Sequence, residues 1–193
     1  MVSVMVDSKV EDQIIWSDSF QGEAATISEP MAVWLSKTNK LTQSLDHIVK
    51  HWNLDLLHHE ALIPTLDEKI LLGCADDCFG RVILHKDDEK PLVLGRVIIP
   101  QETYDRFSVE LNAIGASSIG EKFLFRKKHV LRSPFKYALL SVRSGRISEW
   151  VSEGSLALDF VYARTSVFTL EGKYSLLVSE FFLSELPFPL MAD

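Results

Sequence analysis

The 193-residue sequence predicts an α+β fold in which helices pack on one antiparallel sheet. Two β-hairpins supply most of the predicted sheet, and three segments with helical spacing of apolar residues lie before and between them. Hydrophobic residues make up 47% of the chain and charged residues 24%, which is typical of a globular protein with its own core. We therefore expect one domain over residues 28–193, preceded by an irregular arm over residues 1–27.

The predicted helices follow this arm, in which we expect at most a short edge strand at residues 14–16. Residues 28–36 form a first short helix, because the Ser-Glu-Pro sequence at their start can cap a helix and begin it. A third helix covers residues 103–114 and ends before Gly115. Between them a second helix begins near Lys40, because apolar residues then recur on one helix face: Leu41, Leu45, Ile48, Val49 and Trp52.

The two hairpins carry branched and aromatic side chains on either side of polar turns. The first joins residues 81–86 to residues 91–99 through four charged residues. The second joins residues 160–170 to residues 174–183 through a Glu-Gly-Lys turn, in which glycine can adopt a positive φ. Residues 141–154 are rich in Ser, Gly and charge, which indicates an excursion between elements within the same domain.

Charge and cysteine content argue against several classes of function. A formal net charge of -7 disfavours a nucleic-acid-binding surface, and the basic run over residues 122–146 is interpreted as a solvated face or loop. The two cysteines, Cys74 and Cys78, provide neither a disulfide framework nor four zinc ligands, so we expect no metal. The acidic N-terminus and the absence of a long apolar run predict a cytoplasmic protein without stable membrane insertion, and we expect a monomer.

Four charged residues lie within apolar stripes of the predicted strands: Arg81, Arg96, Arg164 and Glu180. An unpaired charge in such a stripe costs several kcal/mol, so each of them needs a partner. If two of the arginines point to the same covered face as Glu180, the surplus positive charge attracts a small polycarboxylate. The alternative is structural, with arginines at a solvent face or an Arg–Glu pair that joins two strands. The pattern alone leaves both interpretations open.

Five short motifs, in this order along the chain, resemble those of the chorismate lyases (chorismate pyruvate-lyases). They are RVIL from Arg81, PLVLGRVIIP from Pro91, IGEKFLF from Ile119, YARTS from Tyr162 and LLVSEFFL from Leu176. The resemblance covers roughly residues 34–187. It implies a chorismate lyase/UTRA-like fold with an enclosed ligand cavity under two helical flaps.

The resemblance also implies roles for particular residues. Arg81 and Glu180 correspond to the two side chains that hold a benzoate-type ligand in that family. Leu41 and Ile119 correspond to the two flap positions, where the family has methionine and leucine. Arg96 and Arg164 are secondary candidates for a second carboxylate of the substrate or for a product exit path.

The activity implied by the resemblance is the conversion of chorismate to 4-hydroxybenzoate and pyruvate, the first committed step of ubiquinone biosynthesis, without a cofactor. Arg81 would bind a carboxylate, and Glu180 would accept a hydrogen bond from the ring hydroxyl and assist proton transfer. Two alternatives stay open. One is a non-catalytic, UTRA-like effector domain that binds a small carboxylate, and the other is an enzyme-like protein that is inactive or acts on a different cyclohexadiene carboxylate.

Overall fold

The computed structural model describes residues 13–19, 29–74, 77–156, 158–184 and 186. Its helices are short, and none in the described ranges is long and apolar enough to cross a membrane. The α-helices are α1 Glu29–Lys37, α2 Leu41–Ile48, α3 Leu66–Leu72, α4 Gln101–Asn112, α5 Ile119–Lys122 and α6 Gly145–Ser148. The strands are β1 Asn53–Leu62, β2 Cys78–Asp87, β3 Lys90–Pro100, β4 Val130–Arg132, β5 Lys136–Ser141, β6 Phe160–Leu170 and β7 Tyr174–Phe182.

The strands form one seven-stranded antiparallel sheet. Its order is β1-β2-β3-β7-β6-β4, and β5 also pairs with β6. The hairpins β2–β3 and β6–β7 therefore form the centre of the sheet, where they meet along the β3–β7 pairing. Both hairpins and the α+β class are confirmed.

Helices cover both faces of this sheet, so the protein has three layers. One face, here called the cavity face, carries the odd-numbered residues 79–85 of β2 and the even-numbered residues 176–182 of β7. Helices α1, α2, α4 and α5 bury their apolar side chains against it. The opposite face is covered by α3 and α6, through residues such as Leu71 and Ile147.

The turns form where the sequence predicted them. Asp88 in the first hairpin has φ 50, and Glu171 and Gly172 in the second have φ 52 and 71. Gly115 follows α4 with φ 58, which a glycine adopts without a steric cost. The second helix is shorter than predicted. It ends at Ile48, and the apolar run beyond it, including Trp52, leads into β1.

Five elements were not predicted from the sequence: β1, α3, β4, β5 and α6. Strand β1 contains no β-branched residue, and the short strands β4 and β5 lie within the basic run that was interpreted as a face or loop. The edge strand expected at residues 14–16 is instead a single bridge between Ser17 and Tyr137. Most of the predicted arm lies outside the described residues, so the division at residue 28 stays a prediction.

Candidate functional site

A cavity lies between the cavity face and two covering segments. One segment contains residues 39–42 at the start of α2, and the other contains residues 118–125, which include α5. The cavity has about 550 Å³ of empty space, part of which opens to solvent. Its lining is largely apolar, with a few polar side chains, which is the usual composition of a small-molecule site. The polar and charged side chains of the lining belong to Asn39, Thr42, His85, Ser118, Arg132 and Glu180.

Glu180 enters this lining from β7 and is held by Arg164 of β6. The two residues lie directly opposite each other in the β6–β7 register, and Arg164 Nε donates to Glu180 Oε2 at 2.5 Å. Arg164 is fully buried, and its Nη1 donates to the carbonyl oxygens of Leu35 and Thr38, each at 2.7 Å. The pair therefore fixes the Glu180 carboxylate and joins the end of α1 to the sheet. Among the described residues, Glu180 Oε1 accepts no hydrogen bond.

Arg81 lies on the cavity face of β2, two residues before the cavity-lining Ile83, but is not itself part of the lining. It is 1% exposed, and its Nη2 donates to the carbonyl oxygens of Gly115 at 2.6 Å and Ser117 at 2.7 Å. These residues lead directly into the covering segment at Ser118. Within the described ranges Arg81 has no acidic partner, and its buried Nε has no acceptor.

The buried guanidinium of Arg81 lies beside His59 and affects its pKa. Its Nη1 lies 3.4 Å from Nδ1 of His59, whose Nε2 lies 3.1 Å from Asn112 Oδ1. Burial lowers the pKa of His59, and the positive charge of Arg81 lowers it further, against the opposing effect of the Asn112 hydrogen bond. Burial also lowers the pKa of Arg81 to about 10, so its guanidinium is still charged at neutral pH. A buried cation without a counterion is a favourable position for a ligand carboxylate.

Arg132 is the charged lining residue that the sequence analysis did not single out. It comes from β4, and its Nε donates to Ser166 Oγ and its Nη1 to the Asn39 carbonyl oxygen, both at 2.9 Å. Its guanidinium lies over the ring of Phe135, with 3.8 Å between Cζ and the ring centroid. Burial lowers its pKa to about 10, against the opposing charge of Glu180. In the sequence Arg132 is one of many basic residues, and its ligand-facing position depends on the unpredicted β4.

His85 also lines the cavity and was missed. It is 1% exposed, and its ring lies 5.2 Å from that of Trp52, between ring centroids. Burial lowers its pKa to about 4, although the negative charge of Glu180 opposes this effect. His85 is therefore neutral at physiological pH, and its buried Nδ1 has no hydrogen-bond partner among the described residues. The alternation that placed Arg81 and Ile83 on one face also places His85 there, so this signal was present in the sequence.

Arg96 does not reach the cavity, in contrast to its predicted secondary role at the ligand. Arg81 pairs with Val97 in the β2–β3 register, so the adjacent Arg96 points to the opposite face. There its Nε donates to Glu68 Oε1 at 2.7 Å, and Arg146 Nη1 donates to the same oxygen at 2.8 Å. Arg146 Nη2 also lies 2.6 Å from Asp67 Oδ1. These four side chains, the interior ionic cluster, are 1–4% exposed and account for the charge of Arg96.

Comparison with known proteins identifies the family. The family model described as chorismate lyase matches residues 10–188. The chain belongs to the chorismate lyase family. A chorismate pyruvate-lyase of Pectobacterium atrosepticum is 25% identical over 170 residues, which cover 87% of this chain and 85% of that protein. Another of Hamiltonella defensa is 29% identical over 172 residues, covering 84% of this chain and 85% of its relative.

Solved structures confirm the predicted fold class. The PhnF C-terminal domain superimposes with a TM-score of 0.53 at 10% identity and covers 73% of this chain and 87% of that domain. The C-terminal domain of the histidine utilization repressor from Pseudomonas syringae pv. tomato gives a TM-score of 0.51 at 6% identity, covering 74% of this chain and 98% of that domain. At such low identity the likeness shows the fold alone.

The positions that the chorismate lyase resemblance assigns to a ligand lie in the cavity or beside it. Leu41 at the start of α2, Ile119 at the start of α5 and Glu180 all line the cavity. Arg81 lies beside it and contacts the residues that precede α5. Arg164 is engaged with Glu180 and α1. In the described ranges, no group of three or more His, Cys, Asp or Glu side chains is placed to hold a metal ion.

Proposed function

We propose that the cavity binds chorismate and that the chain converts it to 4-hydroxybenzoate and pyruvate. The observation that carries this proposal is the combination of the Glu180 carboxylate and the half-buried Arg132 in one covered cavity, with the buried Arg81 beside it. Neither Arg81 nor Arg132 has a salt bridge to a carboxylate among the described residues. Chorismate carries two carboxylates and one hydroxyl, so two cations and one acceptor complement it. Membership of the chorismate lyase family supports the same assignment.

The proposed reaction is an elimination that needs no external oxidant or reductant. The bond between ring carbon C3 and the enolpyruvyl oxygen breaks, the C4 proton is lost, and the ring becomes aromatic. The released enolpyruvate gains a proton at its methylene carbon and becomes pyruvate. Because aromatisation drives this step, we propose that the protein contributes orientation, charge complementarity and a dry cavity, with no cofactor.

The roles that we propose for the charged residues follow from their free atoms. Arg81 binds the ring carboxylate, because within the described ranges its Nε has no acceptor and its Nη1 has only the 3.4 Å contact with His59. Arg132 binds the enolpyruvyl carboxylate, a role that we assign to it in place of Arg96 and Arg164. Glu180 accepts the hydrogen bond of the ring hydroxyl through Oε1 and assists removal of the C4 proton. Leu41 and Ile119 cover the ligand from the two flaps.

The test is to incubate the purified chain with chorismate, without added metal, and to quantify 4-hydroxybenzoate and pyruvate by chromatography. We expect equimolar products. Arg81→Gln and Arg132→Gln each remove one carboxylate-binding charge, so kcat/KM should fall by about 100-fold or more. Arg106→Gln is the matched control, because Arg106 is exposed and pairs with Glu171 outside the cavity. If the wild-type chain binds 4-hydroxybenzoate without turning over chorismate, the non-catalytic effector-domain alternative replaces this proposal.

We also propose the cellular setting that the family resemblance implies. The product serves ubiquinone synthesis, and the enzyme acts in the cytoplasm as a monomer without nucleic acid or stable membrane insertion. The net charge of -7 supports the absence of a nucleic-acid partner. Deletion of the gene should lower cellular ubiquinone, and added 4-hydroxybenzoate should restore it. Light scattering of the purified chain measures its oligomeric state, and fractionation of cells tests its location.

A further inference from the structure

His85 is a buried polar group that the proposed mechanism does not use. It lines the cavity at 1% exposure, and its Nδ1 is shielded from solvent without a hydrogen-bond partner in the part of the chain that the structure describes. Leaving a buried polar atom unpaired costs free energy, so such an atom in a ligand cavity indicates a missing partner. On one side the ring packs against Trp52, an aromatic contact that leaves the nitrogen unsatisfied.

The position of His85 relative to Glu180 limits what this partner is. The negative charge of Glu180 acts on the His85 ring, and both side chains project from the cavity face. Glu180 pairs with Gly95, which pairs with Ile83 two residues before His85. Gly95 and Ile83 form the cavity floor between His85 and Glu180, and the Ile83 side chain packs against the Gly95 backbone. Arg132 reaches the cavity from the side of β6, where its Nε donates to Ser166 Oγ. The enolpyruvyl group, whose carboxylate we assign to Arg132, therefore extends away from His85.

We propose that His85 donates a hydrogen bond to the oxygen at ring position 4 of the ligand, and that His85 and Glu180 together select a ring hydroxyl. This inference rests on the proposed function, because it takes the ligand to be a chorismate-like ring with its carboxylate toward Arg81. A hydroxyl both donates one hydrogen bond and accepts others. Glu180 Oε1 accepts from the hydroxyl, and the His85 N–H donates to the hydroxyl oxygen. One neutral donor and one carboxylate satisfy the hydroxyl, whereas a ring without an oxygen at this position leaves both protein groups unpaired.

The test compares the binding of 4-hydroxybenzoate with that of benzoate by calorimetry, because the two ligands differ only in the ring oxygen. In the wild type we expect 4-hydroxybenzoate to bind about 100-fold more tightly, with each of the two hydrogen bonds contributing about 10-fold. His85→Leu should reduce this ratio about 10-fold, chiefly by weakening 4-hydroxybenzoate. His85→Gln keeps an amide donor and should restore most of the ratio.

The matched control is His58→Leu. His58 is also largely buried, and its ring packs edge-on against that of Trp150. Its Nε2 has no hydrogen-bond partner among the described residues, but His58 pairs with Val82 and is not part of the cavity lining. This variant should leave the ratio unchanged.

NMR of the wild type with isotope-labelled histidine gives a readout that needs no variant to fold. The ring-nitrogen signals of His85 should shift with 4-hydroxybenzoate and much less with benzoate.

The outcomes separate the inference from the function on which it rests. An unchanged ligand ratio in folded His85→Leu, or unshifted His85 signals, overturns the inference even if the wild type turns over chorismate. Intact discrimination without turnover overturns the proposed lyase reaction and leaves the hydroxyl-recognition role in place. A wild type that binds neither ligand overturns both.

Discussion

The arginines on the cavity face all carry a positive charge, but their guanidinium groups have different hydrogen-bond partners. Arg164 is committed to Glu180 and two carbonyl groups, so it orients another side chain. Among the described residues, Arg132 and Arg81 form hydrogen bonds only with neutral groups, so their charges are available to a ligand. The sequence predicted charged residues in apolar stripes, but it could not distinguish a committed arginine from an available one. That difference depends on carbonyl groups far away in the chain.

At the residue scale, Glu180→Gln removes the negative charge of the carboxylate but keeps the shape of the side chain. The amide oxygen can still accept from Arg164 Nε, but it is a much weaker acceptor and proton-transfer group. We expect kcat to fall by about 100-fold to 1000-fold, and the free energy of unfolding to fall by about 1–3 kcal/mol because buried Arg164 loses its counterion. Turnover assays and urea unfolding measure the two effects. Glu171→Gln, at an exposed pair with Arg106, is the control, and full activity in Glu180→Gln contradicts the assignment.

His85 gives a second residue-scale prediction, on stability against pH. Its pKa falls from an ordinary value of 6.5 to about 4 in the folded protein. Between these values the unfolded chain binds more protons at this site, so the free energy of unfolding falls as the pH falls through that window. The contribution of His85 lost across it is about 3 kcal/mol. His85→Gln should remove this pH-dependent contribution to the free energy of unfolding. Urea unfolding of the wild type and the variant at several pH values therefore measures the contribution as the difference between the two proteins. Parallel pH profiles for the two proteins contradict the prediction.

Elements differ in how clearly the sequence encodes them. The two hairpins were predictable because their branched residues and polar turns are local signals, and the observed β6 has the predicted bounds. Strand β1 follows α2 after only four residues and carries His and acidic residues, so the helical apolar run obscured its start. Strands β4 and β5 are short and depend on pairing with β6, about thirty residues later in the chain. Long-range pairing of this kind leaves little local trace.

Strand β3 carries the element-scale prediction, because Gly95 forms part of the cavity floor. A Cβ at this position would lie 2.9 Å from Ile83 Cγ1 and 3.3 Å from its Cδ1. Gly95→Ala must therefore displace the buried Ile83 side chain and fill part of the floor. We expect the Kd for 4-hydroxybenzoate to rise about 10-fold or more, measured by calorimetry. Gly154→Ala is the control, since its Cβ meets nothing within 4 Å. Unchanged affinity in Gly95→Ala contradicts this placement of the ligand.

At the scale of the whole molecule, the two faces of the sheet have different roles. The cavity face holds the site, and the opposite face holds the interior ionic cluster beneath α3 and α6. Because helices bury both faces, polar and apolar residues do not alternate cleanly along β3, and the sequence could not tell which face Arg96 joins. The excursion at residues 141–154 also acquires a structural role, because Arg146 within it completes the cluster.

The cluster leads to a prediction for the whole fold. Burial favours the neutral form of Glu68, but hydrogen bonds and charges from Arg96 and Arg146 outweigh it and lower its pKa. Glu68→Gln leaves these two buried cations with reduced compensation, so the free energy of unfolding should fall by about 3–5 kcal/mol. Because the sheet separates Glu68 from the cavity, kcat/KM of the folded fraction should stay within about 3-fold of the wild type, whereas Glu180→Gln loses activity. Urea unfolding and chorismate turnover below the melting temperature test both parts, with exposed Glu102→Gln as the control. A Glu68→Gln protein that is stable but inactive would show that the two faces are coupled and that this division is wrong.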